Sequence, residues 1–482
     1  MTEQRVLAPS PLASLGDHLA AGGGRGLDAA RKLGPLGIID HVEAAGLRGR
    51  GGAGFPTGRK WRTVGENLSA VVPPTVVVNA AEGEPGTFKD RAILRANPYE
   101  VLEGALVAAT AVGADRVVLA LKASFTTELA RVRDAILEVR AAGWTDGIDL
   151  AVVEGPSHYL YGEETALLEV VAGRQPFPRI APPFRQGVDV VGDISTVAEV
   201  TMAGPANSTA APPTLVNNVE TLANVPGILA EGPDWYRSLG TPESPGTIVC
   251  TVTGRTRRHG VAEFAMGTPL RQVIDEVGGG TDPGERVVAV MSGVANPLLP
   301  ASLLDTPVTY EAMQAAGSGL GSAGFIVFDD ATDLVAVAHG VSRFLAVESC
   351  GQCTPCKQDG RTIAERLDRI RQSEADEHDL AEVEDRLTSV IVGARCYLAN
   401  QHQLVVESIL RLFADQVAAH VAGGVASAEV ELIAPIVDLR DGRAVLDEGH
   451  FDKQADWNVG EADSGQAPAD RIDQRRGDPA EA

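Results

Sequence analysis

Four of the five cysteines form one pattern: three at three-residue spacing in ESCGQCTPCKQDG and a fourth, Cys396, in the distant GARCYLAN. Cys350, Cys353 and Cys356 converge on one side of a tight turn, so their thiolates can hold three corners of a cubane, and a helix that folds back can deliver Cys396 to the last. Four thiolates also suit tetrahedral zinc, but zinc more often takes two CxxC knuckles than CxxCxxC with one remote partner. The pattern points to a [4Fe–4S] cluster in a reducing compartment and away from a disulfide framework. The remaining Cys250 lies in the strand-like TIVCTVTG and reads as core.

A chain of 482 residues exceeds one ordinary core, and the hydropathy pattern divides it. Residues 1–34, rich in Gly, Ala and Ser, read as a loosely ordered arm. Residues 35–240 alternate short β-branched runs such as TVVVNA and RVVLAL with longer helical ones, which predicts an α/β unit with a largely parallel sheet. Residues 241–328 suggest a compact α+β unit, and residues 329–425 turn helical around the cysteines. Residues 426–482 form an extension whose charged, apolar-poor end reads as disordered.

The net charge of −24 would repel a phosphate backbone and an anionic membrane surface, so nucleic acid is not an expected partner. No stretch of about twenty apolar residues occurs and no signal-like start is seen, so a cytoplasmic protein without direct membrane insertion is expected.

The loop GLRGRGGAGFPTG has Gly49, Gly51 and Gly54 at dinucleotide-fingerprint spacing, but a helix precedes it and Pro56 follows, so a standard Rossmann turn is not expected. Closely spaced glycines still let backbone N–H groups approach a phosphate, with Arg48, Arg50, Arg59 and Lys60 as cationic help. NAAEGEPGTFKDR leaves a strand with Asn79, Glu82 and Glu84, which can accept hydrogen bonds from a ribose or a ring N–H. Glu163 and Glu164 open a helix after Gly162, where the helix dipole alone would also favour them. Asn217, Asn218 and Thr221 offer polar groups close together, or simply begin a helix.

Taken in order, GLRGRGGAGFPTGRKW, NAAEGEPGTFKDR, YGEETALLE, APPF, VNNVETLANVP and ESCGQCTPC resemble the NADH- and FMN-binding subunit of bacterial complex I, with relatives in NAD-linked hydrogenases and formate dehydrogenases. The resemblance implies a Rossmann-like FMN/nucleotide domain, a β-grasp domain of the soluble-ligand-binding type and a helical bundle carrying the cluster. It implies FMN held by Gly49, Gly51, Gly52, Lys60, Asn79, Gly162, Glu163, Glu164, Asn217, Asn218 and Thr221. For NADH, Phe55 and Phe184 would flank the adenine, with Glu84 toward its ribose and Tyr159 and Glu164 nearby. Glu84 would repel a 2′-phosphate, favouring NADH over NADPH. No side-chain acid or nucleophile is implied.

The chain departs from the family at Ala81, where an Asp is usual, at Ala181, where a Lys precedes PPF, and at Tyr161, often Cys. The first two remove a polar group beside the flavin and a cation beside the nucleotide. They motivate an alternative in which the protein carries electrons between FMN, the cluster and a ferredoxin without using NADH. The family further implies a thioredoxin-like [2Fe–2S] partner subunit within a larger redox complex, peripheral to a membrane where that complex has a membrane arm.

Overall fold

The computed structural model describes residues 4–68, 72–188 and 213–453. Strands β1 (Thr75–Ala80), β2 (Arg116–Lys122), β3 (Asp149–Gly155) and β4 (Thr214–Asn218) form an all-parallel sheet in the order β3-β2-β1-β4. Both faces are covered, which is why TVVVNA and RVVLALK are almost continuously apolar. Val76, Val78, Val117 and Leu119 pack under the helix Pro98–Val112, while Val77, Val118 and Ala120 face the helix Glu164–Val171.

A second sheet is mixed. Its strands β5 (Thr247–Gly254), β6 (Gly260–Ala265), β7 (Val287–Ser292), β8 (Leu299–Pro300) and β9 (Gly324–Asp329) run in the order β6-β5-β9-β7-β8, and the helix Leu270–Gly278 shares their core. The central β5 and β9 pair in parallel and their outer neighbours antiparallel, the arrangement of a β-grasp. Cys250 is wholly buried in that core, as expected.

Five helices follow, Leu334–Glu348, Thr354–Arg371, Glu377–Ser389, Leu398–Leu412 and Ala414–Val421. The first is apolar on nearly every face because the others and the mixed sheet surround it. A hairpin of β10 (Ile436–Arg440) and β11 (Arg443–Leu446) then packs back onto the molecule.

The N-terminal arm is a correction: residues 4–34 are folded. Ser14 and Asp17 form a capping box for the helix Leu15–Ala20, and the helix Arg25–Ala45 runs on with a break at Gly34, φ +68°. The amides of Arg5, Val6 and Leu7 all donate to the Glu263 carboxylate. Composition hides this order, because short capped helices need few large apolar residues when partners elsewhere in the chain cover them. The expected disordered end of the C-terminal extension, from residue 454 on, lies outside the described residues.

Candidate active site

Strand order fixes where a ligand can sit. The chain passes from β1 to β2 and β3 on one side, then places β4 on the other, so the crevice beyond the carboxyl ends of β1 and β4 is the switch point where such sheets bind ligands. Asn79 and Asn218 are register partners there. A cavity of about 500 Å³ opens at this point, a size suited to a small-molecule site. Gly51, Gly52 and Ala53 form part of its wall, the loops flanking β7 and β9 add Asn296 and Ser322, and the helical unit adds Tyr397 and Gln401.

The glycine loop is shaped from behind. Gly49 N–H donates to the Phe55 carbonyl at 2.8 Å, and the Tyr310 hydroxyl donates to the Gly49 carbonyl at 2.7 Å. Gly54 holds φ +62°, and a Cβ on it would stand 2.6 Å from the Tyr310 ring. Gly54→Ala is therefore expected to cost about 1–3 kcal/mol in backbone strain alone. The variant should show a lowered Tm.

Two of the four expected cations are used elsewhere. Arg50 is buried, and its guanidinium donates to the Thr247 carbonyl at 3.0 Å and the Tyr236 hydroxyl at 2.9 Å. Arg48 lies 4.1 Å over the Tyr310 ring and donates to the Gly54 carbonyl at 2.8 Å. Both tie the loop to the β-grasp unit. Arg59 is exposed, and Lys60 is paired with Glu164.

Among the carboxylates, Glu84 stands apart. The Tyr159 hydroxyl and the Val294 amide donate to it, the latter at 2.6 Å, and Gln401 donates to Tyr159 Oη at 2.8 Å. Burial pushes the Glu84 carboxyl up to about 7. Glu82 serves the loop itself, accepting from the Asp90 amide at 3.0 Å and from Arg91 at 2.9 Å. The Glu163 carboxylate caps the helix Glu164–Val171, accepting from the amides of Thr165 and Ala166, so helix stabilisation accounts for it.

Cys350, Cys353, Cys356 and Cys396 line a second, small cavity. Cys350 precedes and Cys353 caps the helix Thr354–Arg371, Cys356 is in its first turn, and Cys396 enters just before Leu398–Leu412. Gln352 Nε2 lies 3.5 Å from Cys350 Sγ and Ser349 Oγ lies 3.4 Å from Cys356 Sγ, polar neighbours suited to thiolate sulfur. Leu160, Cys396 and Leu398 belong to the walls of both cavities, so a group in one is separated from a group in the other by a single layer of side chains.

Comparison with known proteins decides the family. The Nuo51 FMN-binding domain matches residues 42–227, the SLBB domain residues 249–295, and the NADH-ubiquinone oxidoreductase-F iron-sulfur binding region residues 336–420. The NADH-quinone oxidoreductase F subunit 2 of Rhizobium meliloti is 36% identical over 418 residues, covering 84% of this chain and 94% of the relative. The chain belongs to the family of NADH-quinone oxidoreductase F subunits. The F subunit of the Streptomyces coelicolor enzyme is 35% identical, with 83% of this chain and 86% of the relative covered. An NAD+-reducing [NiFe]-hydrogenase in the H2-reduced state superposes with TM-score 0.73 at 32% identity, over 85% of this chain and 67% of that chain.

Within this family's fold, the residues expected to bind divide into two sets. Gly51, Gly52, Asn79, Gly162, Glu163, Asn218, Glu84 and Tyr159 line the larger cavity. Asn217 and Thr221 are turned away from it: Asn217 Oδ1 accepts from the Trp61 indole at 2.7 Å and Thr221 Oγ1 from the Arg50 amide at 2.8 Å. Gly49, Lys60, Glu164, Phe55 and Phe184 also lie outside the lining residues; Phe55 is 48% exposed, whereas Phe184 packs partly against the main core. Ala81 is buried with its amide donating to Asn79 Oδ1, and Tyr161 lies wholly buried, its ring filling the space a Cβ on Gly155 would need. Gln401, Asn296 and Ser322 are not legible in the sequence as site residues, since no local motif marks polar groups that reach the cavity from distant units.

Proposed function

We propose that this chain oxidises NADH by hydride transfer to FMN in the larger cavity and passes single electrons to a [4Fe–4S] cluster on Cys350, Cys353, Cys356 and Cys396. The observation that carries this reading is the wall of Leu160, Cys396 and Leu398 shared by the two cavities. Bound FMN would supply the conversion of a two-electron donor into one-electron transfers, and the protein supplies position and potential. The cavity fits the flavin: it has a glycine wall without side chains, and Asn79 and Asn218 stand at the strand ends to orient a polar ring.

The residues then act by holding and excluding. Gly51 and Gly52 offer close backbone approach to a phosphate, and the Lys60–Glu164 pair sets charge at the loop. Glu84, steadied by Tyr159 and Val294, accepts from the nucleotide ribose and disfavours a 2′-phosphate. The retained Glu84–Tyr159–Gln401 chain supports NADH use despite Ala81 and Ala181, so the carrier without nucleotide is not favoured.

The chain works as a subunit of a complex I or NAD-reducing hydrogenase type assembly. With four of five cysteines assigned and Cys250 buried, a further iron–sulfur centre must come from a partner, which we infer to be a thioredoxin-like [2Fe–2S] subunit or a ferredoxin. Among the described residues no helix is long and apolar enough to cross a membrane.

Anaerobic addition of one equivalent of NADH to the FMN-loaded protein should bleach the oxidised flavin absorbance, and NADPH should not. Equal bleaching by NADPH would remove the role given to Glu84, and no bleaching by NADH would sink the dehydrogenase reading.

A further inference from the structure

The segment that follows the helical bundle touches all three units before it reaches the site. Its Ala428 amide donates to the Arg371 carbonyl at 3.0 Å, and a Cβ on Gly340 would stand 2.3 Å from the Glu431 carbonyl oxygen, so the segment lies directly on the central helix. Arg91 of the flavin unit donates to the Ile436 carbonyl at 2.6 Å, and Arg95 donates to Asp438 at 2.7 Å. On the β-grasp side, His259 Nδ1 lies 2.9 Å from the Ala444 amide, and Arg443 donates to the Thr256 carbonyl at 2.9 Å. Arg343 then holds the carbonyls of Phe451 and Lys453 at 2.8 and 3.1 Å.

This strap meets a wholly buried carboxylate, Glu348. One oxygen, Oε1, meets the Lys453 ammonium and lies 3.3 Å from His450 Nε2. The other, Oε2, accepts from the Tyr159 backbone amide at 2.9 Å. The Phe344 ring stands between the Tyr159 and His450 rings, 5.3 Å from each. Tyr159 in turn donates its hydroxyl to Glu84 in the cavity. A buried carboxylate is held in one orientation only when both oxygens have partners, and here one partner belongs to the strap and the other to the site.

We propose that Lys453 and His450, carried by the C-terminal strap, are positioning residues for the nucleotide site, acting through Glu348 to fix Tyr159 and with it Glu84. The strap thereby makes nucleotide affinity depend on the contact of His450 and Lys453 with Glu348, and through it with Tyr159 of the flavin unit. The functional half of this inference rests on reading Glu84 and Tyr159 as nucleotide-binding; the structural half does not.

The test compares the full-length, cofactor-loaded protein with Lys453→Met, which keeps length and removes charge, and Lys453→Arg, which restores it. Hydrogen exchange at the Tyr159 amide should be about tenfold faster in Lys453→Met, the size of one charge-assisted hydrogen bond lost, and wild-type in Lys453→Arg. KM for NADH should rise by a similar factor of about ten, with kcat for an artificial acceptor and the FMN and iron contents unchanged. Faster exchange confined to the strap, with Tyr159 still protected, overturns the coupling. Faster exchange at Tyr159 with unchanged KM overturns its bearing on the nucleotide. If wild-type protein itself failed to use NADH, the reading of the site would fall while the exchange comparison still judged the strap.

Discussion

Cys396→Ser should leave the flavin reducible by NADH while abolishing the route out. Serine keeps the shape of the side chain at the wall between the cavities but does not replace the fourth thiolate that a [4Fe–4S] cubane requires. The expected result is loss of the cluster's EPR signal, a fall in iron per chain, and reduction of a protein acceptor at background rate. Bleaching of the flavin absorbance by NADH should persist, because the glycine loop, Asn79, Glu84 and Asn218 are untouched by the change and serine keeps the wall they share with residue 396. Loss of both activities together would mean that Cys396 shapes the flavin cavity more than the cluster.

The second large effect is expected at Glu84. Its replacement by Ala leaves the buried Tyr159 hydroxyl and the Val294 amide without their acceptor and removes the group assigned to the ribose. Stranding the two protein groups lowers stability, whereas the ribose hydroxyl left without its acceptor in the complex costs about 1–3 kcal/mol of binding, so NADH should bind about 5- to 150-fold more weakly, measured as KM against unchanged flavin content. Discrimination against NADPH should shrink at the same time, since the like charge is gone.

Glu84 also carries a pH signature. Its carboxyl sits at about 7 in the folded protein against an ordinary 4.5, because burial disfavours the charged form. Between those values the unfolded chain has lost the proton that the folded chain keeps, so this group's contribution to stability is present at low pH and is lost as pH rises toward 7. Asp90, raised to about 6, and Glu100, raised to about 8, slope the same way, so the difference between proteins is the measurement. Glu84→Gln should flatten the decline in Tm between about pH 4.5 and 7 relative to wild type.

Legibility follows the range of the interactions. The cysteine turn, the glycine loop and the all-apolar strands are local patterns whose chemistry is fixed by spacing, and each lies on the kind of element its pattern predicts. The folded arm at residues 4–34 escapes a local reading because its partners lie far along the chain: Glu263 holds residues 5–7, Glu138 the Leu15 amide, and Glu103 the amides of Gly24 and Leu27. Arg50 has the look of a phosphate ligand because its neighbours are glycines, yet its partners are Tyr236 and Thr247. Asn217 and Thr221 lie where the motif puts them, but their side chains support the loop from behind and leave Asn218 to face the cavity. The strap is hidden for the same reason: nothing local in DEGHFDK announces that His450 and Lys453 meet at Glu348.

The most direct test of electron flow from NADH through flavin to cluster is EPR of the cofactor-loaded protein during anaerobic titration with NADH. The reduced-cluster signal should grow in step with flavin bleaching, since the two cavities share a wall and electrons need cross only Leu160, Cys396 and Leu398. A flavin fully bleached by NADH beside a cluster that stays oxidised, yet is reducible by dithionite, would contradict it.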